Sequence, residues 1–170
     1  MVMVIRPYRA DPDFRAVREC LIELQEFERA LDSRLPPGAA MADAYLAELF
    51  RRFERFMGRL FVVEDAGGVV GFVSVLGACR SDAPDDAAGP FAYVDDLVVL
   101  PTHRGRGYGA ALLERAEAYA AALGQATLRL RVKGGNRLAR SFYARAGYAE
   151  YEIELEKQLA GRPSADAGTP

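Results

Sequence analysis

The sequence has no tryptophan, one histidine and two cysteines in 170 residues. Cys20 and Cys79 are far apart without metal-ligand spacing, and the histidine, His103, stands beside neither, so no metal site is expected. The two solitary cysteines read as buried free thiols of a reducing compartment rather than as a disulfide. Basic charge is not in excess either. With 22 Lys and Arg against 24 Asp and Glu the net charge is −2, which argues against a nucleic-acid binder working through a broad basic face. No uninterrupted apolar run could cross a bilayer, and the opening MVMVIRPYR lacks the apolar core of a secretory leader. The expectation is a cytoplasmic protein with no membrane and no nucleic-acid partner. There is no internal repeat, and 170 residues suit one well-buried domain rather than two.

What the chain does have is the stretch 93–113, YVDDLVVLPTHRGRGYGAALL. Residues 93–100 are rich in apolar and β-branched types and read as a largely buried strand, which Pro101 ends because it has no N–H to donate. Arg104, Gly105, Arg106, Gly107, Tyr108, Gly109 and Ala110 then lead into an Ala/Leu-rich helix. Glycines so placed let backbone amides converge on an anion at the positive end of the helix, and two arginines add charge. The pattern asks for a phosphate or pyrophosphate. A nucleotide P-loop would need Lys-Ser/Thr after the glycines, and none follows. Gly105, Gly107 and Ala110 formally satisfy G-x-G-x-x-G/A, but no acidic residue stands about 20 positions on, around residues 130–132, as a dinucleotide site requires.

Elsewhere the periodicity predicts a first strand over residues 2–8 and a helix capped by Asp11 or Asp13, with Phe14, Val17, Leu21, Leu24, Phe27 and Leu31 as its buried stripe. A second helix is expected over 41–57, with Tyr45, Leu49, Phe53 and Phe56 on its core side and Arg51, Arg52 and Arg55 solvated. Strands at 60–64 and 69–79 join through a tight turn at 65–68, with Gly71 and Gly77 as places for a bulge. The loop 81–90 carries Asp82, Asp85 and Asp86, which either serve solubility or draw in a cationic substrate. After the glycine loop come a helix to residue 123, a strand at 126–132, a helix 137–146 capped by Asn136, and a final alternating strand over 148–157. Residues 161–170 read as a disordered tail. His103 is expected at the surface.

Two sets of residues carry a family resemblance. Arg104, Gly107 and Gly109 occupy the three defining positions of a Q/R-x-x-G-x-G/A motif. A second motif follows at the right interval as Asn136, then Ser141-Phe142-Tyr143, then Ala146-Gly147-Tyr148. On these the chain resembles the GCN5-related N-acetyltransferase (GNAT) superfamily over about residues 5–155. The resemblance implies an α+β domain over 1–160: a mixed, mostly antiparallel sheet splayed at its fourth strand and flanked by about four helices. It implies acetyl-CoA as cofactor and an acyltransferase acting on a primary amine of a small molecule, with a cationic, polyamine- or aminosugar-like acceptor favoured. A non-catalytic acyl-CoA sensor of the same fold is the alternative, and a homodimer is among the assemblies it allows.

By the same resemblance, residues 104–110 would hold the pyrophosphate, and the backbone of Leu97, Val98 and Val99 would pair with the pantetheine arm or donate to the thioester oxygen. Asn136 would serve the pantetheine or cap its helix. Tyr143 would line the cofactor and protonate the departing sulfur; packing against the sheet is the other role open to it. Asp95 and Asp96 resemble the acidic pair of polyamine and aminoglycoside acetyltransferases. Adjacent strand residues face opposite sides, so only one should look directly at the bound acetyl group; Asp95 is read as base or water relay and Asp96 as a substrate-amine or loop contact.

Overall fold

A computed structural model describes residues 3–81 and 89–158. Its elements run β1 (Val4–Pro7), α1 (Ala10–Leu31), α2 (Gly38–Phe56), β2 (Arg59–Asp65), β3 (Gly68–Cys79), β4 (Phe91–Val99), a 3₁₀ turn (Pro101–His103), α3 (Tyr108–Ala122), β5 (Leu128–Leu130) and α4 (Arg137–Arg145). The five strands lie in chain order in one sheet; β1 to β4 are antiparallel, and β5 joins β4 in parallel after the α3 crossover. This is the expected α+β arrangement of a mixed sheet and four helices. Among the described residues no helix is long and apolar enough to cross a membrane.

Strand alternation sorts the core into two layers. Leu60 and Val62 of β2 face Val17, Cys20 and Leu21 of α1 and Ala42, Leu46 and Leu49 of α2. Their neighbours Phe61 and Val63 face Leu112, Leu113 and Ala116 of α3 on the other side. The β2–β3 hairpin turns at Ala66 and Gly67, both with positive φ. Register shifts beside Gly71 and across Gly77 put irregularities near both glycines.

Several expectations are corrected. The α1 stripe is shorter than its periodicity suggests: Phe14 and Leu31 are exposed at its two ends, where the helix overhangs the sheet. Neither aspartate caps α1 at the N-cap position, which is Arg9; Asp13 instead reaches back to accept from the Arg9 amide at 2.7 Å. Residues 148–157 form no strand. Only three residues of β5 are in the sheet, and the segment meets the rest of the protein through side chains. Arg129 lies 4.3 Å over the Tyr151 ring, Arg140 pairs with Glu150 and Arg34 with Glu156. Ile153 and Leu155 stay 71% and 89% exposed, so no buried face holds a strand there.

Candidate active site

The site begins where β5 leaves β4. Ala92, Tyr93 and Val94 pair with Leu128, Arg129 and Leu130, but β4 continues to Val99 on β3 alone. From Asp95 onward the outer edge of β4 has no strand beside it among the described residues, so the edge opens a little before Leu97 to Val99, where the resemblance puts the pantetheine arm. Leu97 and Val99 pack toward α3, whereas Val98 is buried against α1 and α2. At the end of this edge Arg104 folds back: its Nε donates to the Val99 carbonyl at 2.8 Å, and its guanidinium lies 5.7 Å over Phe27 and 3.7 Å from Glu23. Its charge is therefore engaged with α1 and the strand end.

The glycine loop is built on a left-handed residue. Gly107, the N-cap of α3, has φ 84°, and the first helical bond runs from the Ala111 amide to its carbonyl at 3.1 Å. The amides of Tyr108, Gly109 and Ala110 thus have no helical carbonyl behind them. Beneath the loop, Tyr108 is buried and donates to Asp65 at 2.7 Å. Arg106 comes within 3.5 Å of the same carboxylate oxygen, and His103 stacks on Tyr108 and reaches to 4.0 Å. His103 is half-buried in this cluster rather than a plain surface residue. Asp65, which looks like a turn residue in sequence, is the anchor of the loop. Free first-turn amides, a glycine N-cap and the half-exposed Arg106 fit a pyrophosphate, and the unpaired β4 edge fits an extended amide-bearing arm.

The acidic pair does not alternate. Ser74 is opposite Asp96 but Val75 is opposite Val94, so Asp95 is the extra residue of a bulge. The parity of the strand flips across it: Val94 belongs to the α3 side and Val98 to the α1/α2 side. Both carboxylates consequently meet α2. Asp95 is paired with Arg52 at 3.1 Å, so Arg52 is not part of the solvated face expected for it. Burial raises the Asp95 pKa, and Arg52 opposes the rise. Asp96 is 7% exposed; its Oδ1 accepts from the Tyr45 hydroxyl at 2.8 Å and its Oδ2 from Ser74 Oγ at 2.7 Å. Burial pushes its pKa up to about 6 against those two donors. Tyr45, Arg52, Ser74 and Asp65 were not singled out for these roles from sequence.

On the other side of the split, Asn136 caps α4 by accepting from the Ala139 amide at 3.0 Å. One turn and a half along, Tyr143 packs edge-on against Phe142 and Tyr148, ring centroids 5.1 and 5.8 Å away. Burial, and secondarily Asp96, push its pKa up to about 12. Among the described residues nothing hydrogen-bonds its hydroxyl. Asp82, Asp85 and Asp86 lie outside the described residues.

Residues 23–148 match the model of the acetyltransferase (GNAT) family. The uncharacterized N-acetyltransferase YhfO of Bacillus subtilis (strain 168) is 31% identical over 109 residues, 64% of this chain and 68% of that protein. A crystal structure of a GCN5-related N-acetyltransferase from Ralstonia eutropha JMP134 superposes with a TM-score of 0.71 at 28% identity, over 94% of this chain and all of that one. The fold is also shared, at 17% identity and a TM-score of 0.65 over 95% of this chain and all of the other, with AAC(6')-Iy bound to the bisubstrate analogue CoA-S-monomethyl-acetylneamine.

Proposed function

The chain belongs to the acetyltransferase (GNAT) family and is an N-acetyltransferase, and on that premise we propose that it moves the acetyl group of acetyl-CoA to a primary amine of a small cationic molecule, polyamine- or aminosugar-like. The observation that carries the acceptor class is Asp96, a buried carboxylate beside the unpaired edge of β4. Arg52 already neutralises Asp95, so among the described residues the remaining negative charge here rests on Asp96 and on Glu28, whose pKa burial raises against the opposing charge of Lys133. Such charge concentrates cations at the site. The CoA–acetylneamine conjugate held by a protein of the same fold supports the same reading.

When bound, acetyl-CoA would supply the acetyl group as an activated thioester. The loop amides of Tyr108 to Ala110, with Arg106, would hold the pyrophosphate, and the backbone of residues 97–99 the pantetheine arm. An alkylammonium has a pKa of about 10.4 and must lose a proton before it can attack. Asp96, ionising near 6, is ionised at neutral pH and is a stronger base than an ordinary carboxylate, and desolvation of the ammonium at the site would narrow the remaining gap. Asp95, fixed by Arg52, would orient the amine. Tyr143 would give its proton to the departing sulfur.

A thiol-release assay with acetyl-CoA and a panel of spermidine, kanamycin and L-glutamate tests the reading. Spermidine or kanamycin should exceed glutamate in kcat/KM by about tenfold or more, equivalent to roughly 1.4 kcal/mol. Faster turnover of glutamate than of either cation would overturn it.

A further inference from the structure

We infer that Tyr45 of α2 and Ser74 of β3 are positioning residues for acetyl transfer: they clamp the two oxygens of Asp96 and thereby set the pH above which that carboxylate can take the acceptor's proton. This rests on the reading of Asp96 as the proton acceptor. Three elements meet at the clamp. Tyr45 Oη donates to Oδ1 at 2.8 Å and Ser74 Oγ to Oδ2 at 2.7 Å. The Asp96 amide donates back to Ser74 Oγ at 2.9 Å, closing a ring between β3 and β4. Ser74 is fully buried, so water does not compete for its hydroxyl. Because Asp95 is bulged out of register, Asp96 stands opposite Ser74 and points toward α2, where Tyr45 can reach it.

The proton balance is simple. The ammonium would give one proton to Asp96, which becomes a neutral carboxylic acid. As the amine nitrogen bonds to the acetyl carbon the C–S bond breaks, the departing sulfur takes the Tyr143 proton, the amine's second proton restores Tyr143, and the Asp96 proton returns to solvent before the next cycle. Tyr45 and Ser74 do not exchange protons in this scheme. Burial and the surrounding Asp96 carboxylate push the Tyr45 hydroxyl far above its ordinary pKa, so it remains a donor at every working pH.

Opposing influences fix the ionisation of Asp96. Desolvation is the largest and favours the neutral acid, as do Asp95 on β4 and Glu28 on α1; the Ser74 and Tyr45 donors favour the anion. Arg52 on α2 acts on the neighbour Asp95 and, more weakly, on Tyr45; Tyr143 on α4 feels the charge of Asp96. Deleting either hydroxyl removes one charge-assisted hydrogen bond, and Asp96 should then ionise on the order of one pH unit higher.

The test follows the Asp96 carboxyl by ¹³C NMR from pH 4 to 9 in the wild type, Tyr45→Phe and Ser74→Ala, with the resonance assigned through its backbone. In parallel, the pH profile of kcat/KM is measured for whichever cationic acceptor of the panel is turned over, with Asp96→Asn added. The Asp96 midpoint should rise in both variants, and the acid limb of the profile should rise with it. The rate loss is then larger at pH 6.5 than at pH 9, whereas a general structural lesion lowers both in proportion. An unmoved Asp96 midpoint in both variants overturns the clamp alone. A wild-type acid limb retained in Asp96→Asn, or a limb that stays put while the midpoint moves, overturns Asp96 as the proton acceptor, as does the absence of turnover with every cation. Should Asp96→Asn not fold, the comparison of midpoint with limb in the two clamp variants decides between these outcomes.

Discussion

In the proposed mechanism Tyr143 would surrender a proton that burial holds to about pH 12. A free thiol ionises near 8.5, so transfer to an ordinary thiolate would run uphill by about 5 kcal/mol. Desolvation would close the mismatch, as it does for the buried Cys20 thiol, which dry surroundings lift to about 12. A sulfur departing in an equally dry place would be matched to the Tyr143 phenol, which stays neutral at working pH. Tyr143→Phe should therefore lower kcat by about 10²–10⁴ while leaving acetyl-CoA affinity by calorimetry unchanged. A loss under about twofold, with chemistry limiting turnover, would return Tyr143 to packing against Phe142 and Tyr148.

The loop before α3 separates two kinds of glycine. Gly107 holds φ 84° with open space around a would-be Cβ, so a side chain there costs backbone strain of roughly 1 kcal/mol and clashes with nothing in the protein. Gly109 has no such φ, and a Cβ on it would rest 3.7 Å from the Phe142 ring, ordinary contact. Gly109→Ala consequently isolates the approach of a ligand to the helix start. It should melt with the wild type and, because the motif admits alanine at this position, bind acetyl-CoA within about twofold of it, under roughly 0.5 kcal/mol. Gly107→Ala should lose both stability and affinity. A loss of affinity of about tenfold in a normally stable Gly109→Ala would show that the ligand comes too close to that position for any side chain.

Across the whole molecule, α1 is pinned to the sheet by one buried charge cluster. Arg6 of β1 donates to both oxygens of Asp13 at 2.6 and 2.8 Å and also pairs with Glu64 of β2. Asp13 is 2% exposed. Arg6→Leu strands that carboxylate in the interior and should cost about 3–5 kcal/mol in urea unfolding. The pH dependence has a definite sign. Arg6, ahead of the opposing effect of burial, holds the folded Asp13 below its ordinary pKa. Its contribution is complete above the unfolded value of about 3.9 and is lost as the pH falls through the lower folded value. The stability gap between wild type and Asp13→Asn should be full at pH 7 and shrink below about pH 4. A gap that does not change with pH would assign the cluster's effect to packing.

The elements that could be read from the chain are those decided within a few positions. The period of α2 and α3, the turn at Ala66 and Gly67, the glycine entry to α3 and the Asn136 cap all depend on neighbours three or four residues away. Motif spacing carried the family for the same reason. What the chain could not show by itself was the environment of the acidic pair. Tyr45 meets Asp96 across 51 positions and Arg52 meets Asp95 across 43. Tyr108 reaches Asp65 over the same span of 43. Those meetings depend on the register of β3 against β4, where a single unpaired residue turns two adjacent aspartates toward the same helix. Residues 148–157 make the complementary point. Alternation describes a face that a strand could bury, but a strand forms only where a neighbouring backbone offers its hydrogen bonds and a core takes up the apolar side. With only three residues of β5 in the sheet, the tertiary structure left that segment without either.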